Sequence, residues 1–254
     1  MVHFVGAGPG APDLITIRGA EILKEADVVI YAGSLVNPDL LSLCKEDCEI
    51  HNSAEMTLEE VLEVIAAAEA QQKTTVRLHT GDPSIYGAIR EQMDALKENN
   101  IEYDVCPGVS AMQAAAAALK TEYTLPDVTQ TVIVTRTEGR TPVPSKEQLH
   151  KLAEHDSTMV LFLSAGLTEK VREELLSGGR APETPVAVVY RASWPDEKVI
   201  HITVEDLPKV AERYGTAPAI IVVGDVLSEG SDFYDRSRLY DPEFTTGFRK
   251  GNKE

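Results

Sequence analysis

Basic side chains are scarce in this sequence of 254 residues. Only 24 are Lys or Arg, against 41 Asp and Glu, and the net charge at pH 7 is −17. Binding to nucleic acid or to an anionic membrane depends on a positive field at the protein surface, so we expect neither partner. An anionic small molecule is still compatible with this charge if Arg or Lys side chains cluster locally.

Cysteine is equally scarce. The odd number of three, Cys44, Cys48 and Cys106, speaks against a disulfide framework and fits a reducing compartment. Cys44 and Cys48 with His51 are an imaginable metal site. However, their spacing is not that of a zinc motif and no fourth ligand is apparent, so we predict no protein-bound metal.

Long apolar runs are absent, since none approaches the roughly 20 residues of a membrane span. The stretch from Met1 to Val5 leads directly into a glycine loop and lacks the charged and apolar regions of a signal peptide. We therefore expect a cytoplasmic protein.

Short apolar runs alternate with amphipathic stretches in the first half of the chain. The predicted strands are 3–5, 28–31, 75–79 and 103–105, and the predicted helices are 16–25, 57–71, 84–98 and 110–119. In the helix at 57–71, Thr57 and Glu60 match the capping-box pattern. The alternation predicts an α/β fold with a mostly parallel sheet covered by helices.

The alternation stops at 120–128, where Pro126 lies in a polar stretch, and we place a domain boundary there. Residues 1–122 are expected to form an N-terminal α/β domain with the glycine loop and a substrate trough. Residues 123–227 are expected to form a C-terminal α/β domain, and 228–254 a polar tail. The C-terminal domain has predicted strands at 131–135, 158–163, 186–190, 199–203 and 219–223, and predicted helices at 146–154, 169–176 and 204–213.

The first predicted strand ends in the loop Gly6-Ala7-Gly8-Pro9-Gly10. Together with Ala11 it meets the glycine pattern of dinucleotide-binding folds. Two features argue against NAD(P): prolines remove amide donors that a pyrophosphate needs, and the second strand ends in Tyr31-Ala32-Gly33-Ser34 without a carboxylate for a ribose. Such a loop either lines a substrate trough or forms a tight strand-to-helix turn.

Five motifs in order point to one family. They are VGAGPGAPDLIT from Val5, HTGDPSIYG from His79, CPGVSA from Cys106, VAVVYRASWPDE from Val186 and GTAPAIIVVG from Gly215. Their order and spacing resemble the tetrapyrrole (corrin/porphyrin) methyltransferase family over residues 2–227. YAGSLV, TRTEGRTPVP and FLSAGL most resemble members that methylate carbon 11 of precorrin-4 or cobalt-precorrin-4 in cobalamin biosynthesis. Ala32 and Thr80 depart from the uroporphyrinogen-III branch.

The resemblance implies two α/β domains with S-adenosylmethionine (SAM) in the cleft between them, a fold unlike the Rossmann-like methyltransferases, and a homodimer. S-adenosylhomocysteine would be the product. Carried over motif by motif, the expected cofactor-binding residues are Pro9, Thr80, Gly81, Asp82, Ile85, Ser110, Ala111, Leu163, Ala192, Thr216, Ala217 and Pro218. For Asp82, capping of the helix predicted at 84–98 is the alternative.

The implied tetrapyrrole substrate carries many acetate and propionate groups, so its site needs cation donors, above all arginine. Arg191 is the first candidate. Arg136 and Arg140 lie in a loop that we expect to close over the trough, and Ser34 is a further candidate. Arg18 and Arg90 are also candidates, but a solvated surface position is the favoured explanation for both.

Methyl transfer to a carbon needs alignment and exclusion of water more than it needs an acid or a base. Tyr31, His79 and Asp104 are candidates for a base, and a packing role for His79 is the alternative. Other readings stay open: another corrin carbon, ribosomal RNA or a modified histidine of an elongation factor as substrate, an NAD(P)-dependent oxidoreductase, or a tetrapyrrole carrier without catalysis. The sequence does not decide whether the substrate contains cobalt.

Overall fold

The computed structural model describes residues 1–214, 218–228, 230, 234–235 and 237–252. The chain forms two compact units. The first comprises Met1–Ala118 and Arg191–Glu197, and the second comprises Leu119–Tyr190 and Lys198–Glu254. The expected boundary between residues 122 and 123 lies near the first division. No sequence pattern indicates that 191–197 belongs with the first unit.

The first unit is built on a five-stranded sheet in the order β3-β2-β4-β1-β5. All its neighbouring strands are parallel, which confirms the prediction for this half of the chain. The elements are β1 (Val2–Gly6), α1 (Ile17–Glu25), β2 (Val28–Tyr31), β3 (Glu49–Asn52), α2 (Leu58–Ala70), β4 (Thr75–His79), α3 (Arg90–Glu98), β5 (Tyr103–Cys106) and α4 (Ala111–Leu119). The edge strand β3 was not predicted, because it is too exposed to show an apolar run.

Alternating side chains of this sheet fill two separate cores. On one face, Val5 and Leu78 pack with Leu23 of α1. On the other, Phe4 packs with Ile65 of α2 and with Leu96 of α3. All are buried, and each contributes roughly 1.5–3 kcal/mol by leaving water. The sheet is therefore fixed from both sides.

The start of a helix agrees with the prediction where the sequence has a capping residue. At α2 the Thr57 hydroxyl accepts from the Glu60 N–H, and the Glu60 carboxylate accepts from the Thr57 N–H, as the capping box predicts. Helix α3 begins at Arg90 and not at Ser84 as predicted. Tyr86 and Ala88 have positive φ angles of 56° and 49°, which interrupt a right-handed helix.

The second unit is built on a five-stranded sheet in the order β6-β7-β10-β8-β9. Only β6 and β7 are parallel; β10 runs antiparallel to β7 and β8, and β9 antiparallel to β8. The elements are β6 (Val132–Arg136), α5 (Leu149–Ala153), β7 (Thr158–Phe162), α6 (Thr168–Ser177), β8 (Pro185–Tyr190), β9 (Lys198–Thr203), α7 (Leu207–Tyr214) and β10 (Ala219–Val223). Met159, Leu161, Val188 and Ile221 of the sheet pack with Leu175 and Leu207 of the helices.

The described residues contain no helix with both the length and the apolar character that a bilayer crossing requires.

Candidate functional site

Three loops meet at the carboxyl edge of the first sheet, where ligands of open α/β sheets bind. The Gly81 N–H donates to the Gly8 carbonyl at 2.8 Å, and the Ala7 N–H to the His79 carbonyl at 2.7 Å. A Cβ at Gly6 would lie 2.6 Å from the Gly81 oxygen, and a Cβ at Gly108 only 2.1 Å from it. Only glycine permits this approach, so the glycine loop is packed against the loops after β4 and β5.

Asp82 joins two of these loops through its carboxylate. Oδ2 accepts from the Gly108 N–H at 2.8 Å, and Oδ1 accepts from the Ser84 N–H at 2.9 Å and from the Ser84 hydroxyl. Burial raises the Asp82 pKa, but these hydrogen bonds outweigh it and leave the pKa below its ordinary 3.8. Asp82 caps a turn and not the predicted helix, because α3 begins at Arg90.

Two buried polar groups without hydrogen-bond partners among the described residues lie at the end of β4. Thr80 Oγ1 and His79 Nε2 are both buried, and neither has a hydrogen-bond partner among the described residues. Burial, and then the charge of Arg77, lower the His79 pKa from 6.5 to about 3. His79 is therefore neutral at pH 7 and is a weak base.

Arg77 is a buried cation on the same strand. Its Nε donates to Gln92 Oε1 at 2.8 Å, and one Nη donates to the Ile30 carbonyl at 2.7 Å. Burial lowers its pKa to about 10, so the guanidinium stays charged at neutral pH. The cation ties β4 to β2 and α3.

The segment 191–197 lies on the glycine loop within the first unit. Trp194 Nε1 donates to the Pro9 carbonyl at 3.1 Å, and the Ala11 N–H donates to Ser193 Oγ at 3.0 Å. A Cβ at Gly10 would lie 2.1 Å from the indole. The glycine loop is therefore held by a segment 185 residues away in the sequence.

Arg191 begins this segment. Its guanidinium lies over the Trp194 ring, 4.2 Å from the centroid, and its Nε is 3.0 Å from Asp196 Oδ1. The side chain is 39% exposed. A guanidinium in this position can meet a carboxylate arriving from solvent.

The corresponding edge of the second sheet is built by side chains. Leu163 follows β7 with a φ of 52° and is 62% exposed. Next to it, the buried Ser164 hydroxyl accepts from the Thr137 N–H at 2.9 Å and donates to the Phe162 carbonyl at 2.7 Å. These bonds hold an exposed leucine in an unfavourable backbone conformation, which is typical of ligand contacts.

Arg136 and Arg140 occupy different positions in the loop after β6. Arg136 donates to the carbonyls of Thr137, Thr141 and Pro142, so its guanidinium shapes its own loop. Arg140 is exposed, and no ion pair or hydrogen bond of its side chain is found among the described residues. Only Arg140 of this pair presents a free guanidinium.

The other predicted residues are distributed as follows. Tyr31 ends β2, and Ser34 lies in the exposed turn that follows it. Asp104 lies within β5, away from the carboxyl edge, with its carboxylate 2.7 Å from His3 Nδ1. Arg90 pairs with Asp94. Ser110 is buried, Ala192 is buried, Pro218 is exposed, and Ile85 and Ala111 are half-buried. Thr216 and Ala217 lie outside the described residues.

No group of three His, Cys, Asp or Glu side chains suited to a metal ion is found in the part of the chain that the structure describes. The residues that sequence reasoning missed are Gly108, Ser164 and Trp194, and Gly6 was predicted only as part of the glycine loop. Trp194 had a signal, because it is the single tryptophan of the chain and stands three positions after Arg191.

The family model of the Tetrapyrrole (Corrin/Porphyrin) Methylases matches residues 1–208. The chain belongs to this family. It is 53% identical to a cobalt-precorrin-4 C(11)-methyltransferase of Methanocaldococcus jannaschii, over 100% of this chain and 97% of the relative. These matches confirm the resemblance that the five motifs indicated.

Solved structures agree with the sequence relatives. A cobalt precorrin-4 methyltransferase, described as a cobalamin biosynthetic enzyme, matches with a TM-score of 0.87 and 48% identity over 90% of this chain and 96% of its own. A uroporphyrin-III C-methyl transferase from Thermus thermophilus, complexed with S-adenyl homocysteine, matches with a TM-score of 0.74 and 28% identity over 89% of this chain and 92% of its own. The tetrapyrrole methylase fold is therefore confirmed for this chain.

Proposed function

We propose that this chain transfers a methyl group from SAM to carbon 11 of cobalt-precorrin-4 in cobalamin biosynthesis. The observation that carries the proposal is 53% identity over the whole chain to a relative named for that reaction. The lower identity of 28% to the uroporphyrin-III enzyme agrees with the departures at Ala32 and Thr80. We further propose that the protein acts in the cytoplasm as a homodimer.

SAM fits the residues that the motifs assign to it in the first unit. A Cβ at Gly81 would lie 3.5 Å from Ser110 Cα and from the Ala111 backbone nitrogen. The space beside Gly81 is therefore bordered by small residues. The buried Thr80 hydroxyl, unpaired among the described residues, is available to a hydroxyl or an amine of the nucleoside. Pro9, Asp82, Ile85 and Ala192 complete the proposed contacts of this unit.

In the second unit, Leu163 offers an exposed apolar surface suited to an adenine ring. Pro218 is the other described residue that we assign to the cofactor there, together with Thr216 and Ala217. When bound, SAM supplies a methyl group already activated on a sulfonium.

The chain itself has to bind SAM and the ring, align them and exclude water. This alignment can lower the activation barrier by several kcal/mol. Arg191 and Arg140 present guanidinium groups for the substrate's carboxylates, and Ser34 contributes a hydroxyl. Arg136 supports the loop that carries Arg140. His79 is too weak a base and Asp104 lies away from the edge, so we assign no catalytic base.

The proposal is tested by incubating the purified protein with cobalt-precorrin-4 and SAM labelled in its methyl group. The expected result is one labelled methyl per extracted macrocycle, with S-adenosylhomocysteine as the second product. Uroporphyrinogen III serves as the control substrate and should gain no label. A protein that labels uroporphyrinogen III, or binds NADH in place of SAM, would overturn the proposal.

The same assay with metal-free precorrin-4 decides the second point. We propose that the cobalt-containing ring is the better substrate, because the relative at 53% identity is named for it. Equal or faster labelling of the metal-free ring would overturn this preference and make precorrin-4 without cobalt the substrate.

A further inference from the structure

Arg191 is held on two sides by side chains of its own segment. The Trp194 ring lies under its guanidinium at 4.2 Å, and the Asp196 carboxylate lies 3.0 Å from its Nε. The backbone at Arg191 has a φ of 46°, which is unfavourable for a residue with a side chain. A strained backbone and two side-chain contacts thus define where this cation points.

The aromatic surface beneath Arg191 is itself held by contacts with the glycine loop. The indole donates to the Pro9 carbonyl at 3.1 Å and leaves no room for a side chain at Gly10. Ser193 stabilises the same turn, because its hydroxyl accepts from the Ala11 N–H and its own N–H donates to Glu197 Oε2 at 2.6 Å. A ring fixed in this way restricts the guanidinium before any ligand arrives.

Arg191 nevertheless has unmet hydrogen-bonding capacity. Its Nε is buried and has no hydrogen-bond partner among the described residues, although Asp196 lies within ion-pair distance. Asp196 is 58% exposed, so returning its carboxylate to water costs little. A buried donor beside an easily displaced acid is suited to an incoming carboxylate, which accepts two parallel hydrogen bonds from a guanidinium.

We propose that Trp194 is a positioning residue that holds Arg191 for a carboxylate of the substrate, and that this carboxylate displaces Asp196. The inference rests on the proposed function, because the tetrapyrrole supplies the carboxylate. Trp194 does not touch the reacting atoms. Its role is to fix the cation, and the role of Asp196 is to keep that cation paired until the substrate binds.

The proposal predicts opposite effects for two substitutions. Trp194→Leu removes the aromatic face and should raise the KM for cobalt-precorrin-4 about tenfold, the value of a cation–π contact of about 1.4 kcal/mol. Asp196→Asn removes the competing charge and should lower the same KM about threefold, the range of an exposed ion pair. For both variants kcat should stay close to the wild-type value. Asp196→Asn should also leave SAM affinity unchanged, whereas Trp194→Leu removes the hydrogen bond to Pro9, a proposed cofactor contact, and is therefore judged on the KM for the ring alone.

Two further variants separate positioning from loss of fold. Trp194→Phe keeps an aromatic face and loses the hydrogen bond to Pro9. Its KM should therefore lie much closer to the wild-type value than that of Trp194→Leu. Gly10→Ala forces the indole to move and should behave like Trp194→Leu. Gly247→Ala is the matched control, because nothing lies within 4 Å of an added Cβ there.

A binding measurement makes the test independent of turnover. Trp194 is the single tryptophan, so its fluorescence reports on this position alone. Titration with cobalt-precorrin-4 in the absence of SAM should change its emission, with the midpoint about threefold lower in Asp196→Asn.

The outcomes distinguish the two proposals. If methyl transfer proceeds but both substitutions shift KM in the same direction, or neither shifts it, the role of Trp194 and Asp196 is overturned and the proposed function stands. If the ring binds with the predicted opposite shifts but gains no methyl, the positioning role stands and the proposed function fails.

Discussion

At the carboxyl edge of the first sheet, close main-chain contacts pack the loops together, with the Asp82 carboxylate as a single side-chain link to Gly108, and these contacts tolerate no side chain at Gly6 or Gly108. The corresponding edge of the second sheet depends on side chains, since Ser164 and Arg136 shape the loops there. Adding an atom should destabilise an edge that is packed by backbone. Removing a hydrogen bond should destabilise an edge that is held by side chains.

Gly108→Ala should have the largest effect. The new Cβ would lie 2.1 Å from the Gly81 oxygen, and backbone on both sides prevents relief. We expect the free energy of unfolding to fall by about 3 kcal/mol, the upper range for overpacking. Urea denaturation measures the loss. Gly247→Ala, which meets open space, should change stability by less than about 0.5 kcal/mol.

The buried histidine of the first unit should make stability depend on pH. The His79 pKa is about 3 in the folded chain and 6.5 ordinarily, so between these values the unfolded chain binds a proton that the folded chain does not. Stability is then fully present above pH 6.5 and declines as pH falls, by about 2 kcal/mol at pH 5. His79→Gln should flatten this decline in denaturation curves at several pH values.

The exposed His155 provides the control for that experiment. His155→Gln should leave the pH dependence of the wild type intact. If His79→Gln retained the full decline between pH 6.5 and 5, the neutral, buried state of His79 would be wrong.

Ser164→Ala tests the second sheet by removing a side-chain hydrogen bond. It leaves the buried Thr137 N–H without its acceptor and should reduce the free energy of unfolding by about 1.5 kcal/mol. Ser157 is the matched buried serine, because its hydroxyl has no hydrogen-bond partner among the described residues. Ser157→Ala should therefore be close to neutral. Equal losses in the two variants would contradict a supporting role for the Ser164 hydroxyl.

Asp82→Asn should have the smallest effect, a loss of about 1 kcal/mol, because the amide oxygen retains part of the hydrogen bonding. The Asp82 pKa lies below 3.8, so the carboxylate stabilises the fold above that pH and loses its contribution as pH falls through the lower folded value. The difference between wild type and Asp82→Asn should therefore shrink in acid. Asp47→Asn, at an exposed position, should show no such convergence.

Local patterns predicted much of the fold. The strands Val28–Tyr31, Thr75–His79 and Ala219–Val223 have the predicted bounds. The first and the last are continuous apolar runs, the pattern of strands buried on both faces. The capping box at Thr57 fixed the start of α2. The start of α3 was mispredicted, because the positive φ angles at Tyr86 and Ala88 depend on tertiary contacts that no short window of sequence contains.

The candidate site was less accessible to sequence reasoning. Motif resemblance selected Arg191 and Gly81, but not the contact of Trp194 with Pro9, which joins residues 185 positions apart. Arg136 and Arg140 looked alike in the sequence, and only the hydrogen bonds of Arg136 to its own loop distinguish them. Such differences depend on where a guanidinium finds its acceptors, which composition and spacing do not specify.

The most direct test of the central claim is the position of the transferred methyl group. SAM carrying a carbon-13 methyl is incubated with cobalt-precorrin-4 and the protein, and the product is analysed by nuclear magnetic resonance. The expected result is a single enriched methyl signal correlated with carbon 11 of the ring. An enriched methyl correlated with any other ring carbon would overturn the proposed reaction.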